Sequence, residues 1–182
     1  LILDESFVDF STPELKNSLL SNEILETYPL LIVIKSISKS YGVPGLRLGI
    51  AASSNKEVIS SLRQNMAIWN INSFAEFYLQ IYSKYANNYA IACHNFIEER
   101  DRFFKKLQNI SYIRVIPSQA NYFLCEVTEK YTSTELVEKL LKYNILLKDC
   151  SLKTGFNGQN YVRIAIRDSK DNDCLIEALK SC

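Results

Sequence analysis

Residues 36 to 49 read Ser-Ile-Ser-Lys-Ser-Tyr-Gly-Val-Pro-Gly-Leu-Arg-Leu-Gly. Two hydroxyls, Ser36 and Ser38, stand just ahead of Lys39, and Arg47 follows eight residues after the lysine, beyond Pro44-Gly45. A strand that delivers the hydroxyls and the lysine into a turn, followed by a strand that carries the arginine, lets hydroxyls and guanidinium converge on one phosphate group. The lysine can then reach a neighbouring electrophile. Arginine suits a phosphate because its planar fork bonds two oxygens at once. Lysine suits an aldehyde because its neutral amine adds to the carbonyl and gives an imine. Singly, a lysine in a serine-rich turn is usually solvated, and an arginine on a strand is usually an edge charge. The combination is far more specific than either.

The elements that must position these residues are legible in the periodicity. Leu1 to Leu3 read as the end of a buried strand with acids at its C-terminal end. Ser11 to Glu26 read as mixed loop and helix, and Leu30 to Ile34 as a second buried strand. Tyr41 to Gly45 form a turn, and Leu46 to Ala51 read as a third strand. Asn55 can cap a helix whose apolar residues are Val58, Ile59, Leu62 and Met66. A helix is predicted over Phe74 to Tyr85. A long one follows over about Asn88 to Asn109, with Ala92, Phe96, Phe103 and Leu107 close to helical spacing. The long helix is the natural connector between two domains.

Beyond it, Tyr112 to Ile116, Asn121 to Val127, Ile145 to Lys148 and Tyr161 to Ile166 read as strands. Ser133 is read as the cap of a helix with Leu136, Val137, Leu140 and Leu141 inside, and Asp171 to Lys180 as a closing helix. The order argues for an α/β fold: part of a large mixed-sheet domain over 1–88, then a small α+β domain over 89–182.

Composition narrows the function. The 182 residues carry 21 basic and 20 acidic side chains, a net charge of +1, which gives no electrostatic footprint for nucleic acid or an anionic membrane. No apolar run is long enough to span a bilayer. Five cysteines without a C-x-x-C pair match no zinc or disulfide framework and read as reduced thiols of a cytoplasmic protein. The one histidine, His94, excludes a histidine dyad or a multi-histidine metal site within the chain. No metal is expected. The chain opens at Leu1, without methionine and inside an apolar strand-like run, which predicts a fragment whose fold is completed by residues before Leu1.

Ser36-x-Ser38-Lys39 followed by Pro44-Gly45-x-Arg47-x-Gly49 resembles the cofactor-lysine signature of the class I/II aminotransferases of fold type I. The branch it is most similar to is that of the histidinol-phosphate aminotransferases and threonine-phosphate decarboxylases. The resemblance extends along the chain. Asp4-Glu5-Ser6-Phe7-Val8-Asp9-Phe10 is similar to the family's Asp-Glu-Ala-Tyr/Phe-x-x-Phe segment. Trp69 to Ala75, Gln119 to Phe123, Ile145 to Ser151 and Tyr161 to Arg167 each resemble further family segments.

The resemblance implies pyridoxal phosphate as cofactor and a C-terminal half of the fold. It implies that Lys39 forms the Schiff base and that Asp4 pairs with the pyridine nitrogen. Ser36, Ser38 and Arg47 would hold the cofactor phosphate. Arg163 would grip the substrate α-carboxylate, and Lys148 would face the far end of a phosphorylated substrate. The implied partners are a small amino-acid substrate and a second copy of the chain in a homodimer. Two positions depart from the pattern. Phe7 stands where many aminotransferases have a tyrosine, a state associated with the decarboxylase branch. Lys148 stands where the phosphorylated-substrate enzymes have arginine, and keeps the charge while losing the fork. The family's phosphate-binding helix N-terminus, stacking aromatic ring and ring-oxygen asparagine would all precede Leu1. The activity expected first is aminotransfer to or from a small amino acid, phosphorylated or not. Decarboxylation of a phosphorylated amino acid is the alternative, and a non-catalytic binding or dimerisation module is a third.

Overall fold

The computed structural model describes residues 1–156 and 158–182, in two compact units, Leu1–His94 and Asn95–Cys182. In the first unit, β1 (Ile2–Asp4) is followed by α1 (Asn22–Thr27), β2 (Ile32–Ser36) and β3 (Gly49–Ala52). The sheet order is β1-β2-β3, with β1 parallel to β2 and β3 antiparallel to it. Val33 is fully buried at its centre among Leu25, Leu31 and Leu3. The next helices are α2 (Lys56–Asn65), α3 (Ser73–Ile81) and α4 (Ala86–Leu107).

The sequence places the third strand at Leu46, whereas β3 begins at Gly49. Pro44–Leu46 instead forms a 3-10 turn, and Arg47 adopts the left-handed conformation with φ 58°. Proline fits the first position of such a turn because it has no N–H to lose there. The Asn55 cap is present: its side chain accepts from the N–H groups of Glu57 and Val58. Of the apolar stripe read on α2, Leu62 and Met66 are exposed and Val58 and Ile59 half-buried.

The second unit holds an antiparallel sheet in the order β4-β5-β7-β6, from β4 (Ile113–Ile116), β5 (Tyr122–Val127), β6 (Lys148–Asp149) and β7 (Tyr161–Ala165). Two helices, α5 (Ser133–Leu141) and α6 (Ser169–Ser181), complete it. Alternation along β5 and β7 sends Phe123, Cys125, Val127, Val162 and Ile164 into a core shared with Phe103, Leu107, Leu136, Leu140 and Leu179. Burying a side chain such as Phe123 contributes about 1.5–3 kcal/mol. Cys125 is fully buried, and burial pushes its thiol up to about 12, while Cys174 is exposed.

Two local expectations need correction. The cap of α5 is Thr132, not Ser133: Thr132 and Glu135 form a reciprocal capping box, and Ser133 is a buried first helical residue. The strand read over Ile145 to Lys148 shrinks to Lys148–Asp149. Asn144 takes φ 58°, and the Ile145 N–H bonds back to Leu140 O, so this stretch closes the helix instead. The division between the units falls inside α4, between His94 and Asn95, where the sequence places it at the start of that helix. No helix of the described residues is long and apolar enough to cross a membrane.

Candidate active site

The chemistry-bearing residues of the first unit lie at one end of its sheet. Asp4 closes β1. Its Oδ1 accepts from the Ser6 N–H at 2.8 Å and from the Ser6 hydroxyl at 2.5 Å. The same hydroxyl accepts from the Ser36 N–H at 2.9 Å, at the end of β2. The Ser36 hydroxyl accepts from the Ser38 N–H at 3.4 Å, and the Ser38 hydroxyl donates to Leu48 O at 3.5 Å. A string of hydrogen bonds therefore runs from the carboxylate to the turn that bears Lys39.

That turn is closed by its own backbone: Tyr41 N–H donates to Ile37 O, Gly42 N–H to Lys39 O and Val43 N–H to Ser38 O. Gly42 sits at φ 67°, a conformation that costs glycine nothing. Lys39 projects outward, its amine 4.2 Å from the centre of the Phe7 ring. The hydrogen bonds from Ser6, side chain first and backbone second, hold the Asp4 carboxyl below the usual range. The positive charge of Lys39 adds to this, and burial opposes it. Lys39 and Asp4 thus share one electrostatic environment.

Arg47 is exposed, and its guanidinium donates to Pro44 O at 3.1 Å. Ser38 is buried and Ser36 half-buried. The structure therefore links Asp4 through Ser6 to Ser36 and Ser38, with Lys39 on the turn that follows and Arg47 at the far end of the same loop.

Arg163 and Lys148 belong to the second unit, where they stand directly opposite each other on β7 and β6. Both are exposed. The Arg163 guanidinium lies 5.3 Å from the centre of the Tyr122 ring, a cation–π contact. Both line a hollow of about 520 Å³ with Arg167, Asp171 and Asn172. Like charges directly opposite on a sheet are destabilising. Arg167 is tied to Asp171 at 2.5 Å, a structural pairing.

Two groups escaped the sequence reading. Ser6, two residues after Asp4, has the short hydroxyl that can bond back to a neighbouring carboxylate, and that spacing was a usable signal. Asp9 is buried against Lys35 at 2.8 Å, a partner 26 residues away that no local pattern announces.

The model of the family described as aminotransferase class I and II matches residues 1–179. An L-serine phosphate decarboxylase from Campylobacter jejuni is 34% identical over 98% of this chain and 46% of its own length. A threonine-phosphate decarboxylase from Salmonella typhimurium is 30% identical over 100% of the chain and 48% of its own length. The crystal structure of a histidinol-phosphate aminotransferase from Clostridium acetobutylicum superposes with a TM-score of 0.87 at 33% identity. The match covers 99% of this chain and 53% of that one. The chain spans less than half the length of the curated relatives it matches. The aminotransferases and threonine-phosphate decarboxylases of this group are pyridoxal-phosphate enzymes. A family match over nearly the whole chain and a shared fold with solved pyridoxal-phosphate enzymes establish that this chain belongs to the class I and II aminotransferase family.

Proposed function

We propose that this chain supplies the lysine-bearing part of a pyridoxal-phosphate enzyme that decarboxylates a small phosphorylated amino acid. The observation that carries the reading is the placement of the Lys39 amine over the Phe7 ring, in the field of an Asp4 carboxylate that Ser6 keeps ionised. These residues fit the cofactor's chemistry: an amine for its aldehyde, a carboxylate for its pyridine nitrogen, and hydroxyls and a guanidinium for its phosphate. When bound, pyridoxal phosphate supplies that aldehyde and a ring able to accept the electron pair left at the substrate Cα.

The chain's own residues do the rest. Asp4 would accept a hydrogen bond from the pyridine N–H and keep the proton there. Lys39 Nζ would hold the cofactor through its aldehyde, and its amine is the group that would carry a proton to the substrate Cα. Ser36 and Arg47 would orient the phosphate. Ser38 can join them only by turning its hydroxyl away from Leu48 O. Arg163 and Lys148 bind the anionic groups of the substrate.

Decarboxylation is put ahead of aminotransfer on two grounds. Relatives at 34% and 30% identity carry decarboxylase names. Phe7 also has no hydroxyl to offer a cofactor ring oxygen. The aminotransfer reading, first on sequence, draws support from the likeness to the histidinol-phosphate aminotransferase structure. A homodimer is part of either reading and would cover exposed apolar side chains such as Trp69 and Phe74.

The test uses the full gene product with pyridoxal phosphate and O-phosphoserine or O-phosphothreonine. Release of carbon dioxide with no oxo-acid acceptor supports the proposal. Amino-group transfer to 2-oxoglutarate without carbon dioxide sinks decarboxylation and leaves aminotransfer standing. No turnover, together with no borohydride-stable adduct at Lys39, sinks both and favours a non-catalytic binding module.

A further inference from the structure

The sequence around Lys39 carries a second lysine, Lys35, and a second aspartate follows Asp4, namely Asp9. Neither has a part in the chemistry above, yet both are buried. Lys35 Nζ lies 2.9 Å from Asp9 Oδ1 and 2.8 Å from Oδ2. The Ser40 hydroxyl donates to Oδ2 of the same carboxylate at 3.1 Å. Lys16 approaches from the rim at 3.5 Å.

These contacts surround Lys39. Lys35 precedes it on β2, and Ser40 follows it in the turn. Asp9 sits on the 3-10 turn Val8–Phe10, directly after Phe7, whose ring lies beside the Lys39 amine. One carboxylate therefore ties both flanks of the lysine to the turn that carries its aromatic neighbour. A buried ion pair of this kind contributes little net stability but fixes geometry, because a displaced partner would be left charged and unpaired.

We propose that Asp9 is a positioning residue for Lys39, acting through Lys35 and Ser40 to fix the turn from which the cofactor lysine projects. The proposal rests on the reading of Lys39 as the cofactor lysine. Its first measurement needs no cofactor.

Amide hydrogen exchange at Tyr41, Gly42 and Val43 reports the turn, since their N–H groups donate to Ile37 O, Lys39 O and Ser38 O. The chain is compared with Asp9→Asn, Ser40→Ala and Lys35→Arg, with the amides of β5 as internal control. Asp9→Asn and Ser40→Ala are expected to speed exchange at these three amides by about tenfold or more, with β5 unchanged. Lys35→Arg, which keeps the charge pair, stays near wild type. Exchange in Asp9→Asn within twofold of wild type overturns the proposal. So does a change spread through the first unit that Ser40→Ala fails to reproduce, which marks a merely structural ion pair. Should Asp9→Asn fail to fold, Ser40→Ala alone decides.

The second measurement is borohydride trapping with pyridoxal phosphate, with the adduct located by mass spectrometry. Lys39-specific yield should fall about tenfold in Asp9→Asn, matching the opening of the turn. An unchanged yield there overturns the role of Asp9 alone. A wild-type chain with no adduct at Lys39 overturns the cofactor reading, and the positioning role with it.

Discussion

Both hydrogen bonds that Ser6 gives to Asp4 end on the same oxygen, Oδ1, at 2.8 Å from the backbone and 2.5 Å from the hydroxyl. The hydroxyl bond is the largest cause of the lowered Asp4 pKa. Ser6→Ala should therefore move the Asp4 carboxyl up towards 3.8, its ordinary value, in a carboxyl-resolved NMR titration. The sign follows from the lowered folded-state value. The stabilisation is present above the unfolded pKa and is lost as pH falls through the folded one. Ser6→Ala should shrink that acid-side loss. No movement of the Asp4 resonance would show that Ser6 does not hold the carboxylate.

Arg47 combines a side chain suited to phosphate with a backbone suited to glycine, at φ 58° and ψ 43°. The left-handed conformation costs a side-chain-bearing residue about 1–2 kcal/mol. Glycine gives back about 0.5–1 kcal/mol through its looser unfolded chain. Arg47→Gly should thus leave the melting midpoint unchanged or slightly raised. Fluorescence titration should show weaker pyridoxal-phosphate binding, by about tenfold or more, through the lost charge-assisted bonds. Affinity that survives the substitution would remove Arg47 from the phosphate site.

Arg163→Lys tests the fork rather than the charge. Losing one of two charge-assisted bonds costs about 1.5–3 kcal/mol, or about 10- to 100-fold in substrate affinity. The change should appear in KM of the full gene product, while far-UV circular dichroism stays the same. An unaltered KM would assign the substrate carboxylate to another group.

Asp149 anchors the start of α5. Burial pushes its carboxyl up, but the Ser151 N–H and the hydroxyls of Thr134 and Ser133 outweigh that and hold it at about 2. Its contribution is full above 3.8 and fades as pH falls towards 2. Asp149→Ala leaves the buried Ser133 hydroxyl without its acceptor, at a cost of about 1–3 kcal/mol. Denaturant melts at pH 6 and pH 2.5 should show the variant's deficit shrinking at the lower pH. A deficit equal at both would contradict the ionised-carboxylate account.

Where the governing interaction is local, the sequence was informative. The Asn55 cap, the alternation along β5 and β7, and the Ser-x-Ser-Lys turn all rest on neighbours a few residues apart. Thr132 and Ser133 are indistinguishable as caps by side-chain chemistry alone, since both are hydroxyl residues. Only the Glu135 partner three residues on distinguishes them. Leu46 looks like a strand residue, but the Pro44 turn claims it and β3 begins only at Gly49. The Lys35–Asp9 pair was invisible for another reason. It joins two elements that meet only once β1 and β2 have paired, and nothing in either segment marks the other as its partner.

Cys125 adds a use that has nothing to do with catalysis. A thiol shut inside the β5 core and held mostly protonated cannot react with a disulfide reagent until the strand lets solvent in. Exposed Cys174 reacts without that wait. The interval between the two modifications is therefore a clock built into the chain. It times the opening of the second unit under native conditions, without added dye or denaturant.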